Sequence, residues 1–223
     1  MESSATVSPA NRREGEGLPG QITFRPAQHD ENGRICEIMF GEPPQEAVRV
    51  CEGVARAMRF CSMQVYQRDL GMGWERTVFA VLDGEPVTVL QAGSQLGGVR
   101  VTPGLVWHTI RILGPLRTLR SLPYVSAQRR VNAPAPEGSY HIAELHTHPD
   151  YRNRGLGKAA LEYAEAQARA EGCATMSLNT TVINPARHLY ERHGFEVVEA
   201  RTDDVYERMT GIPGRCLMVK ELA

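Results

Sequence analysis

From Ser139 the chain reads SYHIAELHTHPDYRNRGLG, ending at Gly157. An apolar-rich stretch, Tyr140–Thr147, runs into His148-Pro149. A short turn carries Arg152, Asn153 and Arg154, and Gly155-Leu156-Gly157 opens a helix. The order is strand, basic turn, glycine-containing helix start. Such a start presents backbone N–H groups without intrahelical partners, at the positive end of the aligned peptide dipoles. Glycines there remove the side chains that would hold a phosphate away from the backbone, so the stretch suits a phosphate-bearing anion. The strand has an irregular pattern. Ile142 and Leu145 are three apart, where clean alternation would place them two or four apart. A β-bulge reconciles that spacing and leaves a ladder N–H or C=O unpaired.

Bulk properties narrow the function classes. The 223 residues are 42% hydrophobic, enough for a sizeable core. A formal net charge of −1 gives no basic excess, so no nucleic-acid partner is expected. Five cysteines, an odd count without paired-motif spacing, fit free thiols in a reducing compartment, and a cytoplasmic location is expected. No apolar run approaches the roughly 18 residues of a bilayer span, so no membrane partner is expected. Residues 1–20 are polar and rich in Ser, Gly, Pro and Glu, and read as a flexible tail.

Outward from the opening stretch, residues 22–25 predict a first strand. Asp30 is the expected N-cap of a helix that Gly41 stops. Pro43-Pro44 begin a second helix, with Ala47, Val50, Cys51, Val54 and Met58 on one face. Residues 60–75 read as loop. Residues 78–82 and 86–90 flank Asp83-Gly84 and predict a hairpin. Residues 93–139 form an insertion, helical in its middle and broken at Gly114-Pro115. Its Arg111, Arg117 and Arg120 are either solvated or part of a lid over an anionic substrate. Past Gly157, Leu161, Ala164 and Ala168 keep helical spacing until Gly172. Residues 176–182 are strand-like, Asn184-Pro185 start another helix that Gly194 closes, and 195–198 and 215–220 are strands. The fold class is mixed α/β.

Two blocks resemble a known family. Residues 148–158, HPDYRNRGLGK, are similar to the acyl-CoA signature of the GNAT N-acyltransferase superfamily, with Arg152, Gly155 and Gly157 at its Arg/Gln-x-x-Gly-x-Gly/Ala core. Residues 184–195, NPARHLYERHGF, look like that family's second block. The resemblance implies one acyltransferase domain over 21–223. Its fold would be a mainly antiparallel twisted sheet flanked by helices, with a helical insertion before the central strand. It implies acetyl-CoA or a short acyl-CoA as donor, with no metal. The pyrophosphate would rest on Arg152, Asn153, Arg154, Gly155, Leu156, Gly157 and Lys158. The pantetheine arm would pair with backbone of Leu145, His146 and Thr147, with Asn184 nearby. A strand-borne base, His141 or Glu144, would take the proton of a primary amine, and Tyr190 would protonate the departing sulfur.

Other readings of the same residues are open at this point. Gly155-Leu156-Gly157-Lys158-Ala159-Ala160 loosely fits a dinucleotide fingerprint, but a long basic turn precedes it and no acidic residue ends the next strand. A Walker loop fails because Ala159 follows Lys158. His141, His146, His148 and Asp150 form a local cluster in which a metal is conceivable only if a bulge brings the histidines together. A GNAT-fold module that binds acyl-CoA without turnover is the rival from another class. The acceptor is a small-molecule or peptide amine, and a homodimer is compatible with the chain.

Overall fold

A computed structural model describes residues 21–66, 73–94 and 102–222. The expected tail at 1–20 lies outside the described residues. In chain order the elements are β1 (Ile22–Pro26), α1 (Asn32–Phe40), α2 (Gln45–Val50), α3 (Val54–Tyr66), β2 (Val78–Leu82), β3 (Glu85–Gly93), α4 (Pro103–Leu113) and α5 (Pro115–Val131). There follow β4 (Tyr140–Thr147), α6 (Leu156–Ala170), β5 (Thr175–Thr181), α7 (Arg187–Arg192), β6 (Glu196–Thr202), α8 (Asp204–Thr210) and β7 (Gly214–Glu221). The seven strands form one sheet in the order β1-β2-β3-β4-β5-β7-β6. Every neighbouring pair is antiparallel except β4 with β5.

Strand alternation sends successive side chains to opposite faces, and two cores result. On one face Val89 and Phe79 meet Ile35, Ile38 and Met39 of α1 and Cys61 and Val65 of α3. On the other, Leu90, Ile142, Met176 and Leu178 pack against Leu161, Ala164 and Ala168 of α6. The small alanines let that helix lie close over the middle of the sheet. α5 sits against α8, where Ala127 and Val131 enclose Tyr206.

The hairpin at Asp83-Gly84 forms as expected, with φ of 52° and 88° at the two turn residues. Gly114 separates α4 from α5 in a backbone region, φ 79° and ψ 161°, that only glycine adopts without strain. Four local expectations are corrected. Helix α1 is capped at Glu31, not Asp30, and without a side-chain cap. The single helix expected after Pro43-Pro44 is two, because Glu52 takes a left-handed φ of 53° and the chain turns at Gly53. α3 then runs to Tyr66, through residues read as loop. α8 has no counterpart in the sequence reading; Asp203 caps it by accepting from the N–H groups of Val205 and Tyr206, both at 2.9 Å.

No described helix is long and apolar enough to cross a membrane. Nothing lies within 4 Å of a Cβ built on Gly114, so a substitution there meets only backbone strain. Gly114→Ala is expected to lower stability by about 1–3 kcal/mol in urea unfolding; an unchanged midpoint would contradict the assigned backbone conformation.

Candidate active site

The site begins where two central strands part. β4 pairs with β5 only through Tyr140, His141 and Ile142, opposite Met176, Ser177 and Leu178. Beyond that point β4 stays paired to β3 as far as Thr147, and β5 stays paired to β7 as far as Thr181. The gap between them is a wedge in the middle of the sheet. The alternation of the β3–β4 ladder identifies which backbone groups face it. His148 N–H donates to Val87 O at 2.9 Å, so that pair exchanges hydrogen bonds. Antiparallel pairing alternates, so His146 bonds towards Val89, while Leu145 and Thr147 turn their N–H and C=O away from β3, into the wedge. Arg152 Nε lies 3.3 Å from Thr147 O, as that orientation requires.

The bulge is present. Gln91 pairs with Glu144 and Ala92 with Ile142, which leaves Ala143 as the extra residue of β4. It reconciles Ile142 with Leu145, both of which belong to the core under α6. It also puts His141, Glu144 and His146 on the opposite face together. Ring contact between His146 and Phe40 of α1, at 6.4 Å, fixes that face.

His146 Nε2 lies 2.7 Å from Glu144 Oε2 and orients the carboxylate. His141 Nδ1 lies 3.0 Å from Ser177 Oγ, which is 2.8 Å from Ser139 Oγ. When Nδ1–H donates to Ser177, Nε2 is left as an acceptor. Burial lowers the His141 pKa below its usual 6.5, against an opposing pull from Glu144. The imidazole is therefore mainly neutral at pH 7. Tyr190 on α7 is buried edge-on to Phe195, and burial, reinforced by Glu144, pushes its phenol up to about 12. Glu144 is thus the charge that both His141 and Tyr190 feel. Burial also holds the Cys61 thiol up at about 12, with Glu144 adding to the effect, so this cysteine offers no thiolate.

At the far end of β4, Pro149–Tyr151 make one 3₁₀ turn and the chain reaches α6 through Asn153 and Gly155, both left-handed at φ 59° and 80°. Left-handed Gly155 is followed directly by the right-handed first residue of α6, and such a pair turns successive N–H groups towards one point, an anion-binding concavity. α6 has no side-chain cap, and its first backbone acceptor, Gly155 O, bonds to Ala159 N at 3.0 Å. The N–H groups of Leu156, Gly157 and Lys158 precede that bond and are free of the helix ladder. Leu156 itself anchors the turn in the core beside Leu82 and Val87. A Cβ on Gly157 would come within 2.9 Å of Leu189 Cδ2, so the glycine lets α6 and α7 approach. Arg152 is exposed and bridges to Glu42 at 2.9 Å. Arg154 donates to Asp150 O and covers the Tyr151 ring, and Lys158 lies 3.4 Å from Glu162. Asn184 spends both ends of its side chain inside its own turn: Nδ2 donates to Thr180 Oγ1 at 2.7 Å, and Oδ1 accepts from Ala186 N at 2.9 Å.

Sequence reasoning missed Ser177 and Ser139, whose roles depend on which strand lies beside β4. It also missed a polar cluster beneath the wedge. Tyr206 OH donates to Glu46 at 2.8 Å, and Arg215 lies 3.9 Å from the same carboxylate while donating to Asn179 O. The insertion arginines do not join it: Arg117 pairs with Glu52 at the surface. Among the described residues no three His, Cys, Asp or Glu side chains gather as metal ligands do.

The site thus combines a donor-and-acceptor strand edge inside a sheet, an uncapped helix start at its end, and an imidazole and a phenol that both lie in the field of Glu144. Residues 119–195 match the family model described as the acetyltransferase (GNAT) family. The match starts inside α5, so part of the segment expected as an insertion falls within it. No curated protein matches the chain closely enough to count as a relative. Among solved structures, the mosquito arylalkylamine N-acetyltransferase like 5b is similar with a TM-score of 0.53 at 20% identity, covering 91% of this chain and 100% of its own. The PaiA N-acetyltransferase of Thermoplasma acidophilum, solved in complex with coenzyme A, gives 0.52 at 12% identity, covering 91% and 99%. A GCN5-related N-acetyltransferase from Rhodopseudomonas palustris gives 0.53 at 16%, covering 93% and 100%. At these identities the likeness speaks for the fold, and the two sequence blocks fall inside the matched segment. Residues 119–195 thus carry the match to the GNAT acetyltransferase family model, within a chain whose fold is similar to that of solved N-acetyltransferases.

Proposed function

We propose that the chain is an N-acyltransferase that moves an acetyl or short acyl group from acyl-CoA to a primary amine by direct attack, within one domain at 21–223. The observation that carries this reading is the wedge: two backbone rungs, Leu145 and Thr147, face outward beside an unpaired helix start. Extended amides of a pantetheine arm are complementary to such an edge, as an added strand is. The N–H groups at 155–158 suit a diphosphate, with Arg152, Arg154 and Lys158 supplying positive charge around it. Asn184 then shapes the turn before α7 and makes no contact of its own with the donor.

An amine with pKa near 10 is mostly protonated at pH 7, so the attacking form must lose a proton. His141 is the base in this reading, since burial keeps it neutral and ready to accept. Glu144 sits on the same face, attracts the incoming ammonium, and is held in place by His146. Leu145 N–H is positioned to donate to the thioester oxygen as charge develops there. Tyr190 stays protonated well above neutrality and acts as a hydrogen-bond donor to the departing sulfur. Complete transfer from a phenol near 12 to a thiolate near 8.5 would cost about 5 kcal/mol, so partial sharing is the favoured role. A covalent acyl-cysteine route is disfavoured by the raised pKa of Cys61.

Release of free thiol from acetyl-CoA, screened over a broad amine library, tests the reading. Turnover with at least one amine is expected; tight CoA binding without turnover on any would favour the non-catalytic rival. Tyr190→Phe should lower kcat about 10²-fold with CoA affinity intact; unchanged turnover, where chemistry limits the rate, removes Tyr190 from the mechanism. Gly155→Asp should abolish CoA binding measured by calorimetry, through lost backbone freedom and charge repulsion, and retained affinity would move the diphosphate elsewhere. His141 gives a pH signature. Its pKa is lowered by folding, so its stabilising contribution is complete above the unfolded value of about 6.5, declines as pH falls below it, and stops changing once pH is below the folded value. Urea midpoints between pH 7 and pH 5 should therefore fall less for His141→Gln than for the parent chain. An NMR titration midpoint at or above 6.5 would contradict the assignment.

A further inference from the structure

We propose that the outer face of α3, α4 and α5 docks onto an anionic lipid surface, so that the enzyme works at a membrane boundary without spanning it. The first observation is charge. Between Glu85 and Glu137 the sequence has no Asp or Glu and six arginines, in a chain whose net charge is −1. α3 adds Arg56 and Arg59, again with no acidic residue. Some of this charge is committed: Arg117 pairs with Glu52 and Arg130 with Asp203. Arg59, Arg111 and Arg129 form no ion pair among the described residues and are exposed.

The second observation is apolar exposure on the same three helices, which pack on one another in the order α3, α4, α5. On α5, Leu116, Leu119, Leu122 and Val125 are exposed, Leu119 at 63%. On α4, Val106 and Trp107 are exposed, Trp107 at 60%, and on α3 Val54 and Met58 are exposed as well. These make eight of the twelve large apolar side chains exposed among the described residues, so the exposure is concentrated on three helices that pack on one another. α5 shows why this differs from an ordinary surface helix. Its inner side is already satisfied by Ala127 and Val131 against Tyr206, so the outer leucines are surplus to the fold.

A lipid surface meets both requirements at once. Headgroup phosphates pair with arginine, an indole rests at headgroup level, and leucines enter the acyl boundary. A second copy related by two-fold symmetry would set the basic face on itself, arginine against arginine. The absence of a spanning segment, from which the sequence predicts no membrane partner, does not bear on such peripheral contact.

The test is sedimentation of the full chain with vesicles of phosphatidylcholine alone or mixed with phosphatidylglycerol. Partition is expected onto the mixed vesicles only, and should weaken as salt rises. Arg111→Gln and Arg129→Gln should each lower it about fivefold, equivalent to about 1 kcal/mol per charge. The chain has two tryptophans, Trp74 and Trp107. In a Trp74→Phe background the remaining indole should shift its emission to the blue on mixed vesicles, and CoA affinity should be retained in every variant that is folded. No partition onto mixed vesicles overturns the proposal. So does partition unaffected by the arginine substitutions, retention on heparin without vesicle binding, or a dimer that Leu119→Gln dissociates. Each of these outcomes leaves the acyltransfer reading untouched, since thiol release is measured without lipid.

Discussion

The broken pairing between β4 and β5 is the constraint on which the rest of the structure depends. A central sheet edge left open exposes backbone donors and acceptors that would be costly to bury without partners. Here the parting is enforced from both sides. β4 remains bound to β3, β5 to β7, and α6 covers the junction with Leu161, Ala164 and Ala168 against Ile142 and Leu178. Each strand keeps its outer ladder along the whole length of the gap. The outward rungs at Leu145 and Thr147 are thereby left open, and the proposed contact with an extended amide chain rests on them.

The bulge at Ala143 joins architecture to chemistry. Without it, alternation would have put His141 on one face and Glu144 and His146 on the other. With it, a neutral imidazole and a carboxylate share a face, while Leu145 keeps its place over the α6 core. One extra residue thus brings together the two groups proposed to meet the amine and leaves the strand edge unpaired, and the hydrogen bonds with Ser177 and His146 fix the two side chains that result.

Much of this was legible in the sequence because it rests on local signals. The three-residue spacing of Ile142 and Leu145 announced the bulge, Asp83-Gly84 the hairpin, and Arg152, Asn153 and Gly155 the turn into α6. What was not legible depends on long-range partners. Ser177 becomes an anchor only when β5 is known to lie beside β4. The break at Glu52 comes from a residue type that seldom adopts a left-handed conformation. α8 spans seven residues, too few to show a period, and its polar partners Glu46 and Arg215 come from distant parts of the chain. The arginines of α4 and α5, readable as a lid, are instead exposed or paired at the surface, Arg117 with Glu52 and Arg130 with Asp203.

Amide hydrogen exchange on the chain with and without coenzyme A addresses the central claim most directly. His146 N–H, bonded towards β3, should be slow to exchange in both states. Leu145 and Thr147 should exchange quickly in the free chain and become protected when the ligand binds, together with Gly157 and Lys158. If coenzyme A binds while Leu145 and Thr147 exchange at unchanged rates, the wedge does not hold the donor and the account fails.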